Sequence, residues 1–184
     1  MDARRTEGFL YLAAFGASIP LSNWMIGHVG VVCPGSGPCL LPVGPGLLAP
    51  SGVLVVGLAF VLRDLVQRRL GKGWTLAAIL LGALLSALLA PPSLVLASSG
   101  AFVLSELADF AVYTPLQRRG LVLAVLVSSL VGLVVDSLLF LQLAFGSLDF
   151  LAGQVMGKAW MVLLSLPVVS WLRRRDERLG LAPA

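Results

Sequence analysis

Charge is scarce in this chain. Aspartate, glutamate, lysine and arginine together make up 12% of its 184 residues, about half the share of an ordinary soluble domain. With 58% hydrophobic residues beside that deficit, a typical water-soluble enzyme is excluded. So is a disordered chain, which needs low hydrophobicity and high net charge. Histidine is reduced to His28, and cysteine to Cys33 and Cys39. Two cysteines without a nearby histidine pair are too few for a structural zinc site. There is no Ser-His-Asp set, no HExxH, no nucleophile elbow and no phosphate loop, so the chain does not hydrolyse ATP itself and no cofactor is expected.

What the chain has instead is length of apolar run. Six segments reach about 20 residues, enough to cross a bilayer core of about 30 Å. They cover about 9–29, 50–70, 74–90, 92–113, 120–145 and 149–172, with Pro91-Pro92 breaking the third from the fourth. The expected fold is therefore a single all-α membrane domain of six transmembrane helices over 1–184. The net charge is +4, and its basic residues are clustered: Arg4-Arg5, Arg68-Arg69 with Lys72, Arg118-Arg119, and Arg173-Arg174-Arg175 with Arg178. Alternation with the apolar spans puts every cluster on one side, which the positive-inside rule assigns to the cytoplasm, both termini included. That rule accounts for the basic clusters without a nucleic-acid partner. An N-terminal basic pair before an apolar run also fits a cleaved secretory signal, but its length, Asn23, Trp24 and five following spans favour an uncleaved first helix.

Five charged residues lie inside the oily stretches: Arg63, Glu106, Asp109, Asp136 and Lys158. Each costs roughly 2.5–3.5 kcal/mol on insertion scales, so such residues mark a pathway or a pocket. Steps of three and four place Ser98, Phe102, Ser105, Glu106, Asp109 and Tyr113 on one face of the fourth span. Ser129, Gly132, Asp136 and Phe140 repeat the pattern on the fifth. Gln154, Lys158, Met161 and Ser165 repeat it on the sixth, and Phe60, Arg63, Asp64 and Gln67 on the second. These stripes are buried only if the helices turn them toward one another. Lys158 with Asp136, and Arg63 with Glu106 or Asp109, are the expected pairs. The simpler alternative is that such pairs clamp helices and nothing more, and Arg63 and Asp64 also lie near enough to the interface to snorkel.

Carboxylates accept from N–H donors, and Gln154 both donates and accepts. A flat nitrogen heterocycle with an amino-lactam edge satisfies that set, with Phe102, Phe110, Phe140 or Trp160 over its faces. The expected substrate site is Arg63, Phe102, Glu106, Asp109, Asp136, Phe140, Gln154 and Lys158. In the uncharged outer loop, Cys33 and Cys39 flank a Pro/Gly turn on the oxidising face, where either a disulfide or two free thiols fits.

Ser105-Glu106-Leu107-Ala108-Asp109, Asp136-Ser137-Leu138-Leu139-Phe140 and Gly153-Gln154-Val155-Met156-Gly157-Lys158 resemble, in order and spacing, the signatures of the VUT family of vitamin-uptake or queuosine-precursor transporters. Residues 52–64, with Ala59-Phe60 and Arg63-Asp64, resemble its second helix, so the resemblance runs from about 52 to 167. It departs at Glu106, where the family has Gln, and at Ser137, where it has Thr. The resemblance implies uptake of a 7-deazaguanine such as preQ0 across the bacterial inner membrane. It also implies similarity to the six-helix substrate-binding components of energy-coupling-factor (ECF) importers. Two partner states follow as expectations, a homodimer or an energising complex, beside the lipid itself. Two readings follow, an importer in its own right or the binding subunit of such a complex; an intramembrane hydrolase using Glu106 and Asp109 is a further alternative.

Overall fold

The computed structural model describes residues 3–33, 38–90 and 92–180. The expected turn at 34–37 and the Pro91 half of the Pro91-Pro92 break lie outside the described residues. Six long helices follow one another: α1 (Ala3–His28), α2 (Val53–Leu70), α3 (Lys72–Leu89), α4 (Val95–Leu116), α5 (Leu121–Phe145) and α6 (Leu151–Arg178). A short 3₁₀ turn, Pro92–Leu94, leads into α4. Five of the six are long and apolar enough to cross a bilayer, and the chain is a multi-pass membrane protein. Helix α6 runs past the expected end at 172, because its basic tail continues the helix.

The helix that fails the apolarity test is α2, with Arg63, Asp64, Arg68 and Arg69 among its 18 residues. Its packing explains why it tolerates them. The helices close a ring in the order α1, α2, α6, α5, α4, α3, and α2 also touches α3, α4 and α5 across it. A helix wrapped by all five others meets little lipid, so its polar groups answer to protein neighbours instead of hydrocarbon. One close approach depends on Gly57: a Cβ there would collide with the backbone of Lys158. That contact brings α2 and α6 together at the level where the charges sit. The apolar core below, Phe60, Val61, Leu65, Tyr113, Leu133 and Val162, joins α2, α4, α5 and α6.

Between α1 and α2 the chain folds into an antiparallel hairpin of β1 (Leu40–Gly44) and β2 (Leu47–Pro50). Its turn requires the left-handed backbone of Gly46, φ 68°. The hairpin lies along α6, with the Leu48 carbonyl pressed over Gly153 and the Val43 carbonyl accepting from Trp160 Nε1 at 2.8 Å. Trp160 is about 13 Å along α6 from its start at 1.5 Å per residue, so the hairpin dips well into the apolar layer. Strand backbone survives there because protein, not lipid, satisfies it. The structure joins Cys33 to Cys39 at the hairpin's approach.

At the opposite end an ionic cluster ties the chain's two ends to α2. Asp176 on α6 accepts from Arg68 Nε at 2.8 Å and from Arg69 Nη1 at 2.9 Å, while Glu7 on α1 accepts from Arg69 Nε at 2.9 Å and Arg175 Nη2 at 2.6 Å.

Candidate functional site

A cavity of about 680 Å³ opens between the helices on the hairpin side. Its wall includes Phe102, Glu106, Asp136, Phe140, Gln154 and Lys158, six of the eight residues expected at the site. Arg63 and Asp109 are not in that wall. Both are fully buried beneath Glu106, because the helical step from Glu106 to Asp109 carries the second carboxylate off the cavity and onto the guanidinium of α2. Of the aromatic candidates, Phe102 and Phe140 reach the wall, whereas Phe110 and Trp160 do not; the indole of Trp160 is turned to the hairpin.

The first polar node belongs to α5 and α6. Lys158 Nζ donates to Asp136 Oδ2 at 2.6 Å, to Ser137 Oγ at 2.8 Å and to Gln154 Oε1 at 2.9 Å. An ammonium has three protons, so Lys158 is fully engaged inside the protein. What remains for a ligand is the other side of each partner. Asp136 Oδ1 meets only a long contact from Ser105 Oγ, 3.4 Å, and the Nε2 of Gln154 has no acceptor among the described residues. The i,i+4 step from Gln154 to Lys158 makes this possible by putting both side chains on one face of α6.

The second node surrounds Arg63. Its Nε donates to Glu106 Oε2 at 3.1 Å, its Nη1 lies 3.0 Å from Asp64 Oδ1, and its Nη2 contacts Asp109 Oδ1. Nη1 also donates to Gln67 Oε1 at 3.2 Å, and the Tyr113 ring lies under the guanidinium at 5.7 Å. Ser128 Oγ on α5 donates to Asp64 Oδ2 at 2.9 Å. Three carboxylates thus meet one guanidinium in a bidentate-capable fork, the geometry that favours Arg over Lys at buried pairs. Glu106 links the two nodes: one oxygen holds Arg63, and the other has no donor among the described residues and belongs to the cavity side. Taken together, the two nodes set four carboxylates (Asp64, Glu106, Asp109 and Asp136) against two cations (Arg63 and Lys158).

Both sets of expected pairs therefore form, Lys158 with Asp136 and Arg63 with Glu106 and Asp109. Several wall residues were not among the expected ones: Phe60 on α2, Ser18, Ser22 and Asn23 on α1, and Ser86 on α3. The α1 residues do carry a signal, since Ser18, Ser22 and Ile26 recur every fourth position and Asn23 adjoins them. With no charge among them, that stripe stands out little from an apolar span.

The family model described as "putative vitamin uptake transporter" matches residues 86–172, which bears out the VUT resemblance. The matched stretch contains every expected site residue except Arg63. No curated protein and no solved structure matches the chain.

Proposed function

From the VUT character of residues 86–172, we propose that the protein imports a 7-deazaguanine such as preQ0 across the bacterial inner membrane, with both termini cytoplasmic and the hairpin outside. The observation that carries this reading is the set of free polar atoms on the cavity floor. Glu106 Oε1 and Asp136 Oδ1 accept, and Gln154 Nε2 donates. An amino-lactam edge offers two N–H donors and one carbonyl, the complement of that set. Phe60, Phe102 and Phe140 supply flat apolar surface for the ring faces. Lys158 acts indirectly, by fixing the orientation of Asp136 and Gln154. Arg63 holds the other oxygen of Glu106, and Asp64 and Asp109 in turn hold Arg63, so the node sets the aim of Glu106.

Import requires the site, open toward the hairpin here, to close on that side and open inward. The surplus of carboxylates over cations in the interior gives a natural place for a coupling proton, with Glu106 and Asp136 the groups nearest the substrate. The role is transport, not catalysis. Labelled preQ0 uptake in cells lacking their own importer tests the reading. Expression of the wild type restores uptake; a blot-verified protein that leaves uptake at background overturns the substrate.

A second version keeps the pocket and makes the chain the binding subunit of an energising complex of the ECF type. Ala13 and Ala17 on α1 favour close helix contact. Reconstitution of the purified protein alone in liposomes separates the two: uptake without a partner supports an independent importer, binding without uptake supports the subunit.

A further inference from the structure

The cavity has two tiers, and a flat base uses only one. Counting 1.5 Å per residue from the hairpin-side helix ends, Lys158, Asp136 and Glu106 lie about 10–17 Å down. On the same count Ser22 and Asn23 of α1, Ser86 of α3 and Ser98 of α4 lie about 4–9 Å down; the backbone of Gln154 lies at that level too, but its amide reaches down to Lys158 Nζ at 2.9 Å and belongs to the floor. All four line the same cavity. The lower tier is ionic; the upper tier is hydroxyl and amide, without charge.

The upper groups have a defined hydrogen-bond polarity. Ser22 Oγ donates to the Ile19 carbonyl at 2.9 Å, and Asn23 Nδ2 donates to the same carbonyl at 2.9 Å. The Ser22 hydroxyl proton is thus spent within α1 and its oxygen still accepts, while Asn23 keeps its Oδ1 acceptor and a second Nδ2 proton. Across the cavity Ser86 Oγ donates to Ser98 Oγ at 3.2 Å, which leaves the Ser98 hydroxyl proton without an acceptor among the described residues. The tier presents two acceptors and an amide donor on the α1 side and a hydroxyl donor on the other. An apolar substituent would strand these groups, at a cost for each one desolvated without a partner. Vicinal hydroxyls, each both donor and acceptor, satisfy both sides.

We propose that this upper tier is a second subsite, for a polyhydroxylated substituent, so that the protein binds the ribosylated form of its base as well as the base. The inference rests on the floor reading the amino-lactam edge, as set out under the proposed function. The sugar points toward the hairpin, and Ser22, Asn23 and Ser98 receive its hydroxyls.

Isothermal titration of the purified full chain with 7-deazaguanine and, separately, with 7-deazaguanosine tests it. Both ligands bind the wild type. The double variant S22A/N23A, with its fold checked by size-exclusion chromatography, is expected to bind the nucleoside about tenfold more weakly for the lost hydrogen bonds and to leave base binding unchanged. Base binding with no nucleoside binding overturns the second subsite and leaves the base reading intact. An equal loss for both ligands in S22A/N23A also overturns it, since the tier would then serve the base. Failure of both ligands on the wild type removes the base reading and this inference with it.

Discussion

Lys158 Nζ and Asp136 Oδ2 meet at 2.6 Å across the α5–α6 interface, and the lysine is so fully used there that it has nothing left to give a ligand. The pair is a support for the floor, and its two members are not equivalent. Lys158 is buried, whereas the Asp136 side chain keeps 14% exposure toward the cavity.

Removing one member strands the other in a low-dielectric interior, at a cost of about 3–5 kcal/mol. Lys158→Met therefore lowers the unfolding temperature sharply and abolishes uptake. The paired change Asp136→Asn with Lys158→Gln removes both charges and recovers most of the stability without recovering uptake. Thermal unfolding in detergent beside a transport assay reads both. A double variant that transports normally would show that the charges only fasten helices.

Gln154→Ala behaves differently. It deletes the one free amide donor on the floor and a single acceptor of Lys158, so binding falls by roughly tenfold, about the value of one hydrogen bond in a desolvated site, while the fold persists. Titration of 7-deazaguanine into the variant, with circular dichroism as control, is the measurement. Unchanged affinity would remove Gln154 from the recognition set.

Much of this architecture was legible in the residues, for reasons specific to membrane interiors. A charged side chain in lipid has few solutions, so Arg63, Glu106, Asp109, Asp136 and Lys158 announced both their burial and their pairings. Depth was coarser: the periodicity placed Asp109 on the face of Glu106, yet three residues of helix are enough to move it from the cavity wall to the Arg63 node. The hairpin was hidden because residues 40–50 mix apolar side chains with Pro and Gly, a pattern shared by unstructured outer loops. Its position depends on Gly153 and Trp160, far along the chain. The α1 wall was hidden because serine and asparagine cost little and so signal little.

Gly57→Val tests the packing that aligns the two nodes. The new side chain meets the Lys158 backbone, which cannot yield as a flexible side chain does. Overpacking of this kind costs about 1–3 kcal/mol, and here it also moves α6 relative to α2. The expected result is a lower unfolding temperature with weakened ligand binding; a variant matching the wild type in both would contradict the close α2–α6 contact.

Cys33→Ser opens a short loop at the hairpin end of the cavity. The chain-entropy model gives about 2 kcal/mol for a loop of this length, so the variant unfolds earlier while the floor atoms stay in place and base affinity holds. Mass spectrometry with and without reductant checks the bond itself. Two thiols that alkylate fully in the unreduced native protein would contradict it.

Uptake should follow the proton gradient, given four interior carboxylates against two cations. A protonophore that collapses the gradient is expected to stop accumulation of labelled preQ0 in liposomes holding the protein alone. Accumulation that persists would assign the driving force elsewhere.

The most direct measurement of the central claim is the thermal stability of the purified protein during titration with preQ0, in the wild type and in Glu106→Ala. A ligand at a hundredfold excess over its dissociation constant adds about 2.7 kcal/mol. The wild type is predicted to show that saturable gain and Glu106→Ala to lose it. No gain in the wild type, or an equal gain in both, would contradict recognition of the base by the cavity floor.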